Sequence, residues 1–567
     1  MLMKKFFLIS LLSAYSVMIA PHTPDEKNSN RNSDPIENVD CLFDEAFQVK
    51  TVLILSKKEA QKKSVPLALV RNSNNKLAIM AKDGNGELQP FYMRGIEVGF
   101  WDTRRRDRDA DYDKVFETYE KLGANAAMFM IHWSDIEPQD GRFDFSYTDD
   151  ILEKAKRHGI KIVWVLFMHE QFDMPFLTEP EKLWMYNLDT RDGANYAIQW
   201  VKDKEGNIIK DIPGHREKKY TEIMPCYSHP VVYGRIVRML GRLADHYKDS
   251  ESVIGVQIGN EEHVSYQGED ADFNPYTLAH FDKWKEQTDE TSWNRFKLAI
   301  VKLWFSRFTT AYHMHDPYKI TMMNPIAGGP EKGETGIIDR SGTDATTFRD
   351  SKIDAIATMF YWPSGVNVWK NLDQVYKVGN TYSYPTQLPI LMSTEIGIRS
   401  LNTWPYTQEY MTNFIERGSQ GFAVYSYGHV ANAEGETNEY GEYYRKFMAM
   451  VAANEDIIWP GLPGIGDNIS ITSTYGGGKI SCLHDGNDAT LGILHYPDDM
   501  ADDTKEHRAD IPVEVMVKQS GKYTIEIYKD GILAASHHDD LTASKGRIYT
   551  INISNKEVAF VKVKLLK

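Results

Sequence analysis

Apolar residues between residues 91 and 440 follow two alternating patterns. Short apolar runs typical of buried β-strands alternate with segments whose apolar residues recur at helical spacing. The helical faces are formed by Tyr112, Val115, Phe116 and Tyr119 in one segment and by Ile236, Leu240, Leu243 and Tyr247 in another. The predicted strands are Tyr92 to Val98, Ala124 to Ile131, Ile160 to Phe167, Val253 to Ile258, Ile320 to Met323, Ala355 to Phe360, Pro389 to Met392 and Phe422 to Tyr425. Eight such units predict an α/β chain with a (β/α)8 TIM barrel rather than an open sheet.

Two β-rich segments flank this region. The runs Thr51–Leu55, Val65–Val70 and Leu77–Met80 precede the turn Asp83–Gly86, whose composition is typical of a hairpin. After the Pro- and Gly-rich stretch 459–466, apolar and polar residues alternate in short runs. We therefore predict a small N-terminal β lobe over 42–90, the catalytic barrel over 91–460 and a C-terminal β-sandwich over 467–567.

The first residues have the layout of an export signal. Lys4 and Lys5 precede an apolar stretch from Phe6 to Ala20, which is too short to span a membrane comfortably. We predict a signal peptide over 1–20, a polar linker over 21–41 and export to the periplasm, cell surface or medium. A retained N-terminal anchor stays open as an alternative.

Charge and composition narrow the range of partners. The formal charge of −15 over 567 residues argues against nucleic acid and anionic lipid, which would repel the chain. The three cysteines, Cys41, Cys226 and Cys482, have neither metal-site nor redox spacing, and no Gly-rich phosphate loop follows a strand. We expect no cofactor and no metal, and an uncharged substrate.

Two strand ends carry the candidate chemistry. The run Val253–Ile258 ends on Gly259-Asn260-Glu261, and a second apolar run leads into Thr394-Glu395. Barrel enzymes keep their active sites at the carboxyl ends of the strands. Glycoside hydrolysis needs two carboxylates on either side of the scissile bond. The pattern thus predicts an enzyme that acts on an oligosaccharide or polysaccharide.

This arrangement resembles the retaining glycosidases of clan A, over roughly residues 90 to 440. The segment Gly255–Glu261 and the pattern Trp133…Glu137-Pro138…Gly141…Asp144-Phe145 are most similar to the β-galactosidases of glycoside hydrolase families 42 and 35. The sequence departs from family 42 at strand two, where residues 124–130 contain no arginine, and at strand eight, which ends in tyrosines rather than tryptophan.

The resemblance implies roles for particular residues. Glu261 would be the acid/base and Glu395 the nucleophile. The other predicted substrate-binding residues are Asn260, Tyr361, Trp362, Trp133, His169 and Tyr425. Asn260 would bind the sugar 2-hydroxyl, Tyr361 would keep Glu395 ionised, and Trp362 would stack on a sugar ring.

We therefore expect a secreted, retaining exo-β-glycosidase that is most similar to β-galactosidases and releases β-linked sugars from plant or host glycans. A β-glucosidase, a β-mannosidase or an endo-glycanase remains an alternative, as does a glycan-binding barrel without catalysis. A lyase or aldolase fits less well, because we find no Schiff-base lysine and no metal cluster at the strand ends.

Overall fold

The structure, a computed structural model, describes residues 49–99, 111–168, 204–206, 226–259, 265–266, 269–270, 272–323, 351–360, 387–388, 390–397, 412, 414–473, 479–486, 488–495, 508–554, 557 and 559–567. All of these residues belong to one compact unit, Val39–Lys567. Among them, the helices are all too short or too polar to cross a membrane. The predicted signal peptide 1–20 and linker 21–41 lie outside the described residues.

The N-terminal segment forms a four-stranded sheet with one short helix. Its elements are β1 (Ile54–Leu55), α1 (Lys57–Lys63), β2 (Leu67–Arg71), β3 (Leu77–Lys82) and β4 (Leu88–Pro90). The helix α1 was not predicted, because its sequence is almost wholly polar. Its signal is the capping box, in which the Ser56 side chain accepts from the Glu59 amide and Glu59 accepts from the Ser56 amide.

Eight parallel strands close into a barrel at the centre of the molecule. In chain order they are β5 (Met93–Val98), β6 (Ala126–His132), β7 (Lys161–Phe167), β8 (Val253–Ile258), β11 (Ile320–Met323), β12 (Ala355–Phe360), β13 (Ile390–Gly397) and β14 (Gly421–Tyr425). The short pair β9 (Ser265–Tyr266) and β10 (Glu269–Asp270) lies between β8 and β11 in the chain. The predicted bounds of β8, β11 and β12 are confirmed.

Alternation along the strands divides the barrel into an inner and an outer layer. Met93, Met128 and Val165 belong to the inner cluster, whereas Ile96 and Phe129 belong to the cluster that faces the surrounding helices. The helices are α2 (Tyr112–Leu122), α3 (Trp133–Ile136), α4 (Ser146–Arg157), α5 (Pro230–Tyr247), α6 (Pro275–Thr288), α7 (Trp293–His313), α8 (Tyr427–Val430), α9 (Glu439–Ala453) and α10 (Glu455–Ile458). The apolar faces predicted for α2 and α5 are buried.

The N-terminal sheet covers the amino-terminal end of the barrel. Leu69 and Ile79 share a hydrophobic cluster with the inner barrel residues. The Val52 amide donates a hydrogen bond of 2.9 Å to Asp354 Oδ1, just before β12. Asp354 also lies 2.6 Å from His313 Nε2 at the end of α7. The lobe is thus fixed at the end opposite to the strand ends that carry the candidate chemistry.

The C-terminal segment consists of two antiparallel sheets with one shared core. The strands are β15 (Leu462–Pro463), β16 (Ile469–Ser473), β17 (Lys479–His484), β18 (Ala489–His495), β19 (Arg508–Val517), β20 (Gly521–Lys529), β21 (Ile532–Leu541), β22 (Arg547–Ser554) and β23 (Ala559–Leu565). Six strands form one sheet and β16, β19 and β22 form the other. Ile471 and Ile551 of the second sheet pack in one cluster with Ile525 and Val561 of the first. Leu491 and Phe560 join the outer cluster of the barrel.

Candidate active site

The fourth barrel strand ends in a turn that requires glycine. Gly259, directly after β8, has a φ of +75°, a conformation that costs a residue with a Cβ about 1–2 kcal/mol. The buried Gln257 side chain donates a 3.2 Å hydrogen bond to the Gly259 carbonyl oxygen and supports the turn. Glu261 follows two residues later and, with Asn260, lies outside the described residues. The described part of β8 therefore ends in a defined turn two residues before the predicted acid/base.

A β-bulge interrupts the seventh strand where it carries the predicted nucleophile. From Ser393 to Ile396, β13 advances three residues while β12 and β14 each advance two. The extra residue on β13 lies within the step that contains Thr394 and Glu395. Bulges change the direction of a side chain and occur near active sites. The side chain of Glu395 itself lies outside what the structure describes.

Tyr425 is at the carboxyl end of β14, beside the seventh strand. Its backbone pairs with Gly397, two residues after Glu395. The side chain is partly exposed, and its ring centroid lies 5.5 Å from that of His429. The peptide bond between Tyr425 and Ser426 is cis. Tyr425 is thus near Glu395 along the barrel rim, as a substrate-binding role would require.

Two further polar residues near the carboxyl ends of strands are buried in the barrel. Glu97 is the penultimate residue of β5 and His132 is the last residue of β6. They are 1% and 2% exposed, respectively, and the His132 ring lies 5.7 Å from that of Phe167. Sequence reasoning did not select Glu97. The signal was a carboxylate within an otherwise apolar predicted strand, near its carboxyl end.

Trp133 is placed in the core rather than on an open face. Its side chain is 0% exposed and belongs to the cluster outside the barrel strands. Its indole N–H donates a 2.8 Å hydrogen bond to Glu137 Oε2. Full burial leaves no ring face for a sugar, so the predicted substrate-binding role of Trp133 is replaced by a structural one.

Glu137 connects this tryptophan to the rest of the segment. Oε1 accepts hydrogen bonds from the Gly141 amide at 2.8 Å and from Arg238 of α5 at 2.5 Å. Burial raises the pKa of Glu137 above its usual range, although the hydrogen bonds and the charge of Arg238 oppose this rise. The residues Trp133, Glu137 and Gly141 of the recognised sequence pattern therefore form a hydrogen-bonded loop after the second strand.

A buried carboxyl group anchors the far end of the segment that follows β8. Asp272 is fully buried, and Oδ2 accepts hydrogen bonds from the Thr277 hydroxyl and, at 3.7 Å, from the Cys226 thiol. Burial raises the pKa of Asp272 to about 7. The Gly259 turn and this cluster are thus the described, hydrogen-bonded positions that flank residues 260–271 in the sequence.

Three other predicted substrate-binding residues, Tyr361, Trp362 and His169, lie outside the described residues. Within the part of the chain that the structure describes, no group of three or more His, Cys, Asp or Glu side chains is arranged to hold a metal ion. The described strand ends present carboxylate, imidazole and phenol groups around one barrel mouth. Such groups can accept and donate hydrogen bonds to sugar hydroxyls and can transfer protons.

The match to a protein family covers the second to the fifth barrel strand in chain order, which are β6, β7, β8 and β11. Residues 105–324 match glycoside hydrolase family 42, described as Beta-galactosidase. This segment includes Glu261 and ends before Glu395. It confirms the predicted resemblance to family 42 and relates the chain to glycoside hydrolases.

Individual relatives are distant. Beta-galactosidase BbgII of Bifidobacterium bifidum is 24% identical over 247 residues, which are 42% of this chain and 31% of that protein. Beta-galactosidase BglY of Alicyclobacillus acidocaldarius is 27% identical over 131 residues, 23% of this chain and 15% of that protein. The chain thus aligns with less than a third of either relative. The catalytic domain of β-amylase from Paenibacillus polymyxa, a solved structure, is 11% identical with a TM-score of 0.45 and covers 63% of this chain and 98% of its own.

Proposed function

We propose that this chain, whose residues 105–324 match glycoside hydrolase family 42, is a retaining exo-β-glycosidase with β-galactosidase-like specificity. The relatives named Beta-galactosidase support this choice of sugar. Oligosaccharides or polysaccharides with terminal β-linked sugars, from plant or host glycans, would be the substrates.

One observation carries the proposal. Glu261 follows the fourth barrel strand by three residues, and Glu395 belongs to the seventh strand at a bulge. The fourth and seventh strands belong to a closed parallel barrel, and barrel enzymes perform their chemistry at the carboxyl ends of such strands. Two carboxylates from different strands can face each other across a bound sugar.

In the first step, a carboxylate oxygen of Glu395 attacks the anomeric carbon of the sugar. The bond to the leaving oxygen breaks, and Glu261 gives its proton to that oxygen. A covalent glycosyl-enzyme results. In the second step, Glu261 removes a proton from water, the water oxygen attacks the anomeric carbon, and Glu395 leaves. Two inversions give net retention, which requires carboxyl groups about 5–5.5 Å apart.

Each glutamate needs a different environment for these roles. Glu261 must hold a proton at neutral pH, which burial and the nearby negative charge of Glu395 would favour. Glu395 must remain ionised, and a hydroxyl donor such as Tyr361 would stabilise its charge. Asn260 would bind the 2-hydroxyl, a contact that strengthens as positive charge develops on the sugar. Trp362, His169 and Tyr425 would complete the sugar site.

Two further features belong to the same proposal. The segment 1–20 would act as a signal for export, so that the enzyme would meet glycans outside the cytoplasm. The two C-terminal sheets, which share one hydrophobic core, would form a β-sandwich that packs against the barrel.

The test is hydrolysis of a panel of aryl β-glycosides by the wild type, Glu261→Gln and Glu395→Gln, with the first-formed anomer followed by NMR. We expect a β-anomer from the wild type, fastest from the galactoside, and losses of several orders of magnitude in both variants. Glu262→Gln, next to Glu261 in the chain, is the matched control and should retain most activity. An α-anomer as first product would exclude the role of Glu395 as nucleophile. A folded wild type that binds sugars but hydrolyses none would instead indicate a glycan-binding barrel.

A further inference from the structure

His313 and Asp354 form a buried pair at the amino-terminal end of the barrel. His313 is the last residue of α7, and Asp354 directly precedes β12. Both side chains are fully buried, and His313 Nε2 lies 2.6 Å from Asp354 Oδ2. Nδ1 of the same ring lies 2.8 Å from the backbone carbonyl oxygen of Asp316. The imidazole ring is thus held between a carboxyl group and a carbonyl group.

The hydrogen-bond partners determine the protonation of this pair. A backbone carbonyl oxygen can only accept, so Nδ1 carries a hydrogen. Asp354 Oδ2 accepts from the Thr321 amide at 2.8 Å and from the Thr321 hydroxyl at 2.7 Å, and Oδ1 accepts from the Val52 amide at 2.9 Å. Three donors favour the ionised carboxylate, whose oxygens only accept. Nε2 then donates as well, so His313 is a doubly protonated imidazolium paired with the Asp354 carboxylate.

The charged groups around the ring support its protonated form. Burial alone would lower the pKa of His313, but the charge and hydrogen bond of Asp354, and after them the carbonyl and charge of Asp316, outweigh burial and raise this pKa. Lys319 Nζ lies 3.6 Å from Asp316 Oδ2 and partly offsets the charge of Asp316. Tyr312, whose ring centroid is 5.7 Å from that of His313, stays neutral because burial raises its pKa.

The segment 50–53 covers this pair on the surface of the barrel. The Lys50 amide donates a 3.0 Å hydrogen bond to the Thr310 hydroxyl oxygen. The Leu53 amide donates one of 2.8 Å to a backbone carbonyl in the loop between α7 and β11. Val52, whose amide binds the buried carboxylate, is 3% exposed, whereas Leu53 is 43% exposed. Detachment of this segment would therefore open the pair to water.

We propose that the His313–Asp354 pair is a pH-sensitive latch, which holds the segment 50–53 on the barrel while His313 is doubly protonated and releases it when the ring loses a proton. Loss of that proton leaves Nδ1–H on the Asp316 carbonyl and the Nε2 lone pair against a buried carboxylate. A buried charge without its partner is strongly destabilising, and detachment of the segment relieves this cost because water then reaches Asp354. The latch does not depend on the proposed glycosidase activity.

The sign of the pH dependence follows from proton binding. The closed form binds the proton of His313 more tightly than the open form, in which the ring has the usual pKa of about 6.5. Closure is therefore fully favoured below pH ~6.5 and weakens as the pH rises through the raised pKa of His313. Above that pKa, both forms have lost the proton, and a further rise in pH changes nothing more.

Hydrogen exchange of the full-length protein tests the latch, with mass spectrometry of the peptide that contains residues 50–53. After correction for the intrinsic exchange rate, we expect the opening constant of this peptide in the wild type to rise up to about tenfold per pH unit above pH ~6.5 and then to level off. His313→Gln cannot titrate, so its opening constant should exceed the wild-type value at pH 6 and stay constant with pH.

Thr310→Val is the matched control. It removes the acceptor of the Lys50 amide and leaves the His313–Asp354 pair intact. The opening constant of the peptide should therefore be higher than in the wild type at every pH, while its pH dependence stays that of the wild type.

A wild-type opening constant that does not change with pH would overturn the latch. The same rise with pH in His313→Gln would also overturn it, because another group would then be responsible. If His313→Gln does not fold, 15N NMR of histidine-labelled wild type decides. A ring that keeps both N–H protons above pH 7, where ordinary histidines are mostly neutral, supports the latch, and the absence of such a ring overturns it.

Discussion

The indole N–H of Trp133 donates a 2.8 Å hydrogen bond to Glu137 Oε2 within the segment that resembles family 42. The same carboxylate binds the Gly141 amide and Arg238. The segment between β6 and α4 is thus closed by side-chain hydrogen bonds and tied to α5. Its characteristic residues Trp133, Glu137 and Gly141 are thus held together by these hydrogen bonds.

This relationship predicts the effect of Glu137→Gln. The amide can accept through one atom only, so at least one of Trp133, Gly141 and Arg238 loses its acceptor in a buried site. Removal of one partner of a buried charged pair costs about 3–5 kcal/mol. Because Arg238 is partly exposed, we expect a loss near the lower end of that range in the free energy of unfolding, measured by urea denaturation.

Asp140→Asn is the matched control, because Asp140 binds the same Arg238 at 2.5 Å but is itself exposed. Exposed ion pairs contribute about 0–1 kcal/mol, so this variant should unfold almost as the wild type does. Equal losses in the free energy of unfolding for Glu137→Gln and Asp140→Asn would contradict the stabilising role of the buried Glu137 carboxylate.

A second prediction concerns the Gly259 turn. Glycine-to-alanine substitution at its φ of +75° should cost about 1–2 kcal/mol of stability and should also lower kcat, because the segment with Asn260 and Glu261 begins there. Gly159→Ala is the control: its φ is +67° with open space around it, and it precedes β7 at the other end of the barrel. We expect similar stability losses but a kcat decrease in Gly259→Ala alone. If both variants keep wild-type kcat, the turn does not position the acid/base.

A third prediction follows from Asp272. Its pKa is about 7 in the folded chain and about 3.9 when unfolded. The folded state therefore binds more protons between these values, and its stability falls as the pH rises from about 4 to about 7. Asp272→Asn keeps an acceptor for Thr277 without the charge.

In urea unfolding, the gain in the free energy of unfolding of Asp272→Asn over the wild type should accordingly be larger at pH 8 than at pH 5, by about 2–3 kcal/mol. Asp282→Asn, an exposed position on α6, should show no such change with pH. A pH-independent difference for Asp272→Asn would mean that Asp272 is ionised throughout.

The barrel could be predicted because its strands are apolar runs with sharp ends, and β8 between Ser252 and Gly259 is an example. The seventh strand was predicted to end at Met392, yet it continues to Gly397. Residues 393–395 of this strand are polar and its pairing is irregular there, so hydrophobicity alone does not reveal its last part. Prediction of a strand from its sequence relies on side chains that alternate between the two faces without a break, and a β-bulge interrupts this alternation.

The sequence suggests candidate site residues where a carboxylate follows or ends an apolar strand, as at Glu261 and Glu395, and their roles stay predictions. The role of Trp133 could not be obtained in this way, because the sequence does not say whether an aromatic ring faces the barrel mouth or the helices. Glu97 was not recognised as a buried strand-end carboxylate, because a charged residue in a strand is ordinarily taken for an exposed position. Only the strand register and the burial of its side chain show that Glu97 points inward.

The most direct test of the double displacement uses azide with Glu395→Ala and Glu261→Ala on a glycoside with a good leaving group. In Glu395→Ala, azide should occupy the space of the missing carboxylate and attack from that face, which gives an α-glycosyl azide. In Glu261→Ala, the glycosyl-enzyme still forms, and azide should attack from the opposite face to give a β-glycosyl azide. We expect restored turnover with these two products, identified by NMR. A β-glycosyl azide from Glu395→Ala, or no product from either variant although both are folded, would contradict the assignment of nucleophile and acid/base.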